Sequence, residues 1–438
     1  MGFFDDLFNR SKETGNGREY SLGRFSDAYK PSSYQDIWEQ SLLSFENEKY
    51  TDSVKLLLEF LLNNEKDNIS WKEESEVIRF ELLQGSKVVT GLLNDTHFRA
   101  EVKIAKTADL NIGLSRKLLE RNYLLKFSRF ALDENDHILL IFNSYKVDAS
   151  PNKLYQALKE MATQADKLDD LLIDEFRDLE PINIDHIRPR SEEQKEKQYQ
   201  YLIKQLEQCF DEIDNGKLNI DQFPGGLSFL LLALNYKLDY LLTPEGFLMD
   251  TLEQNHRNYF SNNHGELGRK NNMFIKSFRK ILDREKEEIK AEFYDVVSTF
   301  GLPSPTPHEV LVQLIDKELG NIQWYKDNNH DAIALAIPGY IVGYSLFSYA
   351  LPKPDMDLLA LFYRITEKDF FTNNAFYKAD KLNTKSIKKE IEQIEQEYRN
   401  IHPLLEIDPG ILDFSNMVNF CETYLIMIKN ITLYGEDR

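Results

Sequence analysis

From Phe98 to Ile104 the chain sets apolar Phe98, Ala100, Val102 and Ile104 in strict alternation with charged Arg99, Glu101 and Lys103. Only a strand sends successive side chains to opposite faces, so this segment predicts a strand buried on one side and wet on the other. Residues 76–83 (EVIRFELL) and 87–93 (KVVTGLL) read as two further strands, divided by Gln84-Gly85-Ser86 and followed by Asn94-Asp95. Together they predict a three-stranded antiparallel meander. On both sides the apolar period returns to that of a helix, over residues 32–48, 51–62 and 114–125. The last of these carries Leu118, Leu119 and Tyr123 on one side. Two more strands follow, 128–133 and 137–145, the second apolar on both faces and therefore central or covered. Ser150 and Pro151 then open a long helix whose stripe runs through Leu154, Leu158, Met161, Ala165, Leu168, Leu172 and Phe176.

Residues 178–193 carry two prolines and no period, which places a domain boundary there. Beyond it every apolar pattern is helical, over 194–214, 226–242, 245–260, 269–300, 307–319, 331–351, 355–367, 384–401 and 410–432. The expected organisation is a flexible segment 1–31, an α+β domain 32–178 and a mostly all-α domain 194–438. Within the flexible segment Phe3, Phe4, Leu7 and Phe8 form a short apolar stripe.

Of the 438 residues, 42 % are hydrophobic, enough to bury a sizeable core and too apolar for a disordered chain. Net charge is −20, divided almost evenly as −9 over residues 1–180 and −11 over 181–438. Such a surface repels phosphate backbones and anionic lipid, so nucleic acid is not an expected partner. The uncharged stretch 332–351 has the length of a bilayer span, but it holds Pro338, Gly339 and Gly343 and lies between Asp331 and Lys353. It reads as a helix buried on all sides, so no integral membrane span is expected. The N-terminus lacks the basic and apolar regions of a secretory signal, and Cys209 and Cys421 sit in helical patterns as free thiols. Both point to the cytoplasm.

The order helix, three strands, helix, two strands, long helix over residues 51–176 resembles the class I type III secretion chaperone fold. The local pattern is similar to the YbjN family of bacterial regulators, which shares that fold. The residues that carry the resemblance are KLLERNYLLKFSRFALDENDHILLIFNSY, 117–145, and the Leu-rich helix after them. Within that run they are Leu119 and Asn122 at the helix end, Phe130 in a short aromatic strand, the acidic turn Asp133 to Asp136, and the apolar strand Ile138 to Phe142. The resemblance implies a binding role: such proteins, often dimers, hold a segment of another protein on apolar patches of sheet and helices. On this reading the protein is a cytoplasmic bacterial adaptor, chaperone-like holder or regulator, alone or as a homodimer. The contact surface is expected on the leading helix at Trp38, Leu42 and Phe45 and on the sheet at Phe98, Val102 and Ile104.

Motifs for chemistry are absent: there is no phosphate loop, nucleophile elbow, zincin pair or EF-hand loop. No catalytic residue, cofactor or metal is therefore expected. An enzyme whose site lies in the helical half, near His256 and His264 or the aromatic segment Tyr340, Tyr344, Phe347 and Tyr349, is the alternative. A structural component of a larger machine is a third. His308-Glu309 is expected on the surface of a helix start, and the carboxylate pair Asp169-Asp170 on a solvated helix face. Ile387, Ile391, Ile394, Tyr398 and Ile401 keep a spacing that suits a helix seam.

Overall fold

The computed structural model describes residues 22–23, 30, 32–63, 66–107, 110–182, 185–217, 222–261, 265–301, 303–371 and 375–433. The stripe Phe3 to Phe8 and His264 lie outside the described residues. Of the lead-in, Leu22 and Gly23 are described, and they are docked: Gly23 donates its N–H to the Tyr240 carbonyl at 2.9 Å, and Leu22 packs on the second domain's core.

The first domain is α+β. Helices α1 (Ser32–Glu46) and α2 (Tyr50–Leu61) precede four strands, β1 (Ile69–Glu74), β2 (Val77–Gln84), β3 (Lys87–Leu93) and β4 (His97–Thr107). Helix α3 (Ile112–Leu124), β5 (Arg129–Leu132), β6 (His137–Tyr145), α4 (Pro151–Glu175) and β7 (Leu179–Pro181) follow. The sheet order is β1-β2-β3-β4-β6-β5, all neighbours antiparallel, with β7 also paired to β4. The meander thus has four strands where three were expected. Strand β1 (ISWKEE) escapes the pattern because Ile69 alone is buried while most of its other side chains are exposed, as suits an edge. Strand β6 is central, as its two apolar faces predict.

The alternation in β4 sends Phe98, Ala100, Val102 and Ile104 inward, and helix α4 lies over that face. Small residues on α4, Ala157, Ala162 and Ala165, are buried between Leu154, Leu158, Met161, Leu168 and Leu172. They let the helix approach the sheet closely. Ser150 caps α4 with Pro151 in its first turn. On the opposite sheet face Arg79, Glu81, Thr90 and Arg99 stay exposed.

The second domain is helical: α5 (Glu192–Asn215), α6 (Pro224–Leu242), α7 (Gly246–Phe260), α8 (Leu267–Leu282), α9 (Lys286–Ala291), α10 (His308–Leu319), α11 (Ile322–Asp327), α12 (Asp331–Ser348), α13 (Lys353–Thr366), α14 (Thr384–Tyr398) and α15 (Met417–Lys429). At its centre α6 packs against α12. A Cβ on Gly343 would lie 2.5 Å from the Tyr236 Cβ, so the missing side chain sets the closeness of that crossing. Helix α12 is the one helix among the described residues long and apolar enough to cross a membrane, and 61 % of it is buried inside the fold. Ile387, Ile391, Ile394 and Tyr398 of α14 face the domain's own core, while Ile401 is exposed.

The helix expected over 269–300 ends at Leu282 and resumes only for α9. Residues 294–300 leave the helical domain and fasten to the first. Tyr294–Asp295 pairs as a short strand with Arg188–Pro189. The β2–β3 turn receives the next residues: Gly85 donates its N–H to the Val297 carbonyl at 3.1 Å, Thr299 Oγ1 donates to the Leu83 carbonyl at 2.7 Å, and Phe300 N–H donates to Gln84 Oε1 at 2.8 Å. The Phe300 ring is buried in the first domain's core, 5.5 Å from the Tyr155 ring. Residues 178–193 are therefore not a free linker. They give β7 to the sheet, the short strand that pairs with Tyr294–Asp295, and Arg190, whose buried guanidinium meets Asp295, Gln198 and the Leu242 carbonyl.

Candidate functional site

The surface residues expected for partner contact divide. Phe98, Val102 and Ile104 have at most 1 % exposure because α4 covers them, so these three are core and present nothing to a partner. On α1, Trp38 packs its ring 5.0 Å from Phe60 and 5.9 Å from Tyr155, turning inward onto α2 and α4. Leu42 and Phe45 are half-buried, and the Phe45 ring meets Tyr50 at 5.3 Å. Ser41 and Ser53 lock the two helices by exchanging hydroxyl-to-carbonyl hydrogen bonds, each 2.8 Å. The leading helix thus spends its apolar face inside the domain.

Among the described residues of the first domain, exposed large apolar side chains gather most densely on α3, while Leu43, Tyr145 and Val147 are exposed elsewhere. Leu114 is buried and Leu118 and Leu125 pack on the core, so that side of the helix docks it. Its other side carries Ile112 at 88 % exposure, Leu119 at 68 %, Tyr123 at 90 % and Leu124 at 67 %. Ile112, Leu119 and Tyr123 are spaced i, i+7 and i+11 and form one stripe. The sequence spacing groups Leu118 with Leu119 and Tyr123, but the helix turns Leu118 in and the other two out. Four large apolar side chains left in water on one short helix are more than the scattered exposure of an ordinary surface.

The helix is held firmly. Asn111 caps it, its Oδ1 accepting from Leu114 N–H at 2.9 Å. At its far end Glu160 of α4 clasps the following turn: its carboxylate accepts the N–H groups of Lys126, Phe127 and Ser128 at 2.7, 3.0 and 2.9 Å and the Ser128 hydroxyl at 2.8 Å. Burial raises the Glu160 carboxyl, but these hydrogen bonds outweigh it and hold the group below its usual range. Lys117 and Glu175 add an ion pair. Beside the helix, β5 forms a sheet edge, and Asn122 Oδ1 accepts the N–H of Phe130 at 2.7 Å. That bond satisfies one donor of the edge strand. Residues 112–132 hold five basic side chains and one acidic, in a chain of net charge −20. The stripe is rimmed by positive charge.

The residues weighed for chemistry lie elsewhere. His256 is half-buried, with Nδ1 2.7 Å from the Tyr236 hydroxyl and its ring 4.8 Å from Phe347 and 5.0 Å from Phe260. Burial lowers its pKa to about 4, and Arg257 acts the same way against Glu253. It joins the aromatic segment Tyr340 to Phe347 as a neutral member of a packed cluster. His308, expected on the surface, is buried: Nδ1 lies 2.9 Å from Asp355 Oδ1 and ties the starts of α10 and α13, while Glu309 is exposed. Neither His308 Nε2 nor Asp355 Oδ2 has a hydrogen-bond partner among the described residues.

Of the pair Asp169-Asp170, expected in solvent, Asp169 is buried and Asp170 half-buried where the domains meet. Asp169 Oδ2 lies 2.8 Å from Lys87 Nζ and accepts from the Ser86 hydroxyl, and Asp170 Oδ2 accepts from the Tyr294 hydroxyl at 2.9 Å. Burial is the main influence that raises the Asp169 carboxyl, with Lys87 opposing it. Among the described residues no group of three or more His, Cys, Asp or Glu side chains could hold a metal ion. No protein-family model and no curated protein matches the chain.

Proposed function

We propose that the protein is a chaperone-like adaptor or regulator of the cytoplasm that engages another protein through its α+β domain. The observation that supports this most is the exposed stripe Ile112, Leu119, Tyr123 and Leu124 on a helix that Glu160 and Asn111 hold rigid. A preorganised apolar surface loses little entropy on binding. The likeness to the secretion chaperones and YbjN proteins remains part of this proposal and rests on the sequence pattern of residues 51–176; the sheet adds β1 and β7 to the order it implies. The basic rim favours a partner segment that sets apolar side chains among acidic ones, which would also steer encounter.

The test compares the intact protein with a Leu119→Ser, Tyr123→Ser variant in affinity capture from host cytosol with quantitative mass spectrometry. One or two proteins captured by the first and lost with the second, at unchanged thermal stability, support the proposal. Equal capture by both overturns the assignment to α3. Light scattering on the same pair is the companion measurement. A dimer that the variant makes monomeric would replace the foreign partner with a second copy of the chain.

A further inference from the structure

A cavity of about 320 Å³ opens among α5, α6, α12, α13 and α15 of the helical domain. Its volume falls at the lower end of the range for small-molecule sites and gives room for roughly ten water-sized groups at about 30 Å³ each. The two cysteines, 212 positions apart in the sequence, meet in its wall with Leu230, Ala336, Phe362 and Met417. Burial pushes the Cys209 thiol up to about 12 and raises Cys421 as well, so both line the cavity as neutral, polarisable groups.

The polar side of the wall is unequal in charge. It holds one cation, Lys237, and two carboxylates, Glu212 and Glu367. Lys237 Nζ lies 3.2 Å from Glu367 and 2.6 Å from Gln205 Oε1, and Glu367 also accepts the Tyr201 hydroxyl at 2.7 Å. That cation and that carboxylate satisfy each other. Glu212 is left over: it is half-buried and has no ion-pair partner among the described residues. A half-buried carboxylate without an ion-pair partner, beside a wall that also carries Leu230, Ala336 and Phe362, favours a cation with an apolar body.

We propose that this cavity binds a small primary amine with an apolar body, its ammonium on the Glu212 carboxylate and its body among Leu230, Ala336, Phe362 and the two thiols. This goes beyond the adaptor reading and uses a surface remote in sequence from α3. An amine entering here would bridge the helices that form the cavity and stabilise the domain by an amount that grows with the logarithm of its concentration above Kd.

The experiment is titration calorimetry of the full chain with octylamine, octanol and octanoate, which share an apolar body and differ in charge. Octylamine is expected to bind about tenfold more tightly than octanol, the gain of one charge-assisted hydrogen bond, and octanoate more weakly than either. In Glu212→Gln the octylamine affinity is expected to fall to that of octanol. Ala332→Phe, at the half-buried start of α12, is expected to block all three. Tightest binding by octanoate, no binding by any of the three on the unaltered protein, or an undiminished amine preference in Glu212→Gln would each overturn the proposal. The three-ligand comparison on the unaltered protein remains decisive should a variant not fold.

Discussion

Lys87 Nζ lies 2.8 Å from Asp169 Oδ2, with 1 % and 2 % of the two side chains exposed. The ammonium also donates to the Ile104 carbonyl at 2.9 Å, so a strand, a helix and the end of the sheet meet on one charge. Taking two charges out of water is costly; the Ile104 carbonyl and the Ser86 hydroxyl offset part of that cost, while Asp169 Oδ1 has no hydrogen-bond partner among the described residues. Lys87→Met strands a buried carboxylate and is expected to cost about 3–5 kcal/mol in urea unfolding. Lys87→Met with Asp169→Leu is expected to recover most of that loss. A double variant as unstable as the single one would mean that the pair does not act as a unit.

Asp170, its neighbour, links the interface to pH. Burial pushes its carboxyl up to about 7; the Asp169 and Glu245 charges add to this, and the Tyr294 hydroxyl and Lys87 oppose it. An unfolded chain returns the group to its ordinary value of 3.8. Between those values the folded state binds more protons, so the stabilisation is full below the unfolded value and is lost as pH rises through about 7. Unfolding free energy is expected to fall from pH 5 to pH 8, and Asp170→Asn to flatten that slope by roughly 1–4 kcal/mol. The difference between the two proteins separates the Asp169–Asp170 pair from Glu292 and Asp355, whose carboxyls burial also raises. Identical slopes would rule out Asp170 as the source.

Phe300 fills the first domain's core from the second domain's chain, 5.5 Å from Tyr155. Phe300→Ala is expected to cost about 3–5 kcal/mol, the range for a buried aromatic ring. A fragment of residues 32–178 lacks this ring, Thr299 and β7 alike. It is expected to show secondary structure in far-UV dichroism without a cooperative thermal transition. A sharp transition in the fragment would show that the tether is dispensable.

The elements that were legible in the sequence are those whose burial follows from local period. The alternation from Phe98 to Ile104 and the stripe from Leu154 to Leu172 show their inner faces without any partner being known. What local pattern conceals is which buried face meets what. Phe98, Val102 and Ile104 carry the same signal whether they face a partner or α4. Asp169-Asp170 looks solvated because the partners that satisfy it, the Lys87 ammonium and the Tyr294 hydroxyl, lie 82 and 124 positions away. The tether 294–300 reads as the end of an amphipathic helix because its apolar residues suit a helix face as well as a plug. The α3 stripe was partly visible, since Leu119 and Tyr123 were apolar at helical spacing, but their exposure depends on Leu114, Leu118 and Leu125 taking the docking side.

Glu160 connects the turn after that exposed stripe to α4, and its removal tests how far the stripe's helix depends on that link. The carboxylate accepts three consecutive N–H groups, from Lys126, Phe127 and Ser128, and the Ser128 hydroxyl. Glu160→Ala leaves those partly buried donors without an acceptor, for an expected cost of about 1–3 kcal/mol. Because the folded group titrates below its ordinary 4.5, its contribution is present above that value and lost as pH falls through the folded one. The cost of the substitution should therefore shrink in acid, opposite in sign to Asp170→Asn. Hydrogen exchange is expected to quicken at the amides of 126–128 and along the last turn of α3, while α4 itself stays protected. Leu119→Ser with Tyr123→Ser should leave those amides unchanged, since both side chains point into water and exposed substitutions shift stability by about 0.5 kcal/mol or less. Faster exchange there in the surface variant would mean that the stripe supports the fold and is not held in reserve for a partner.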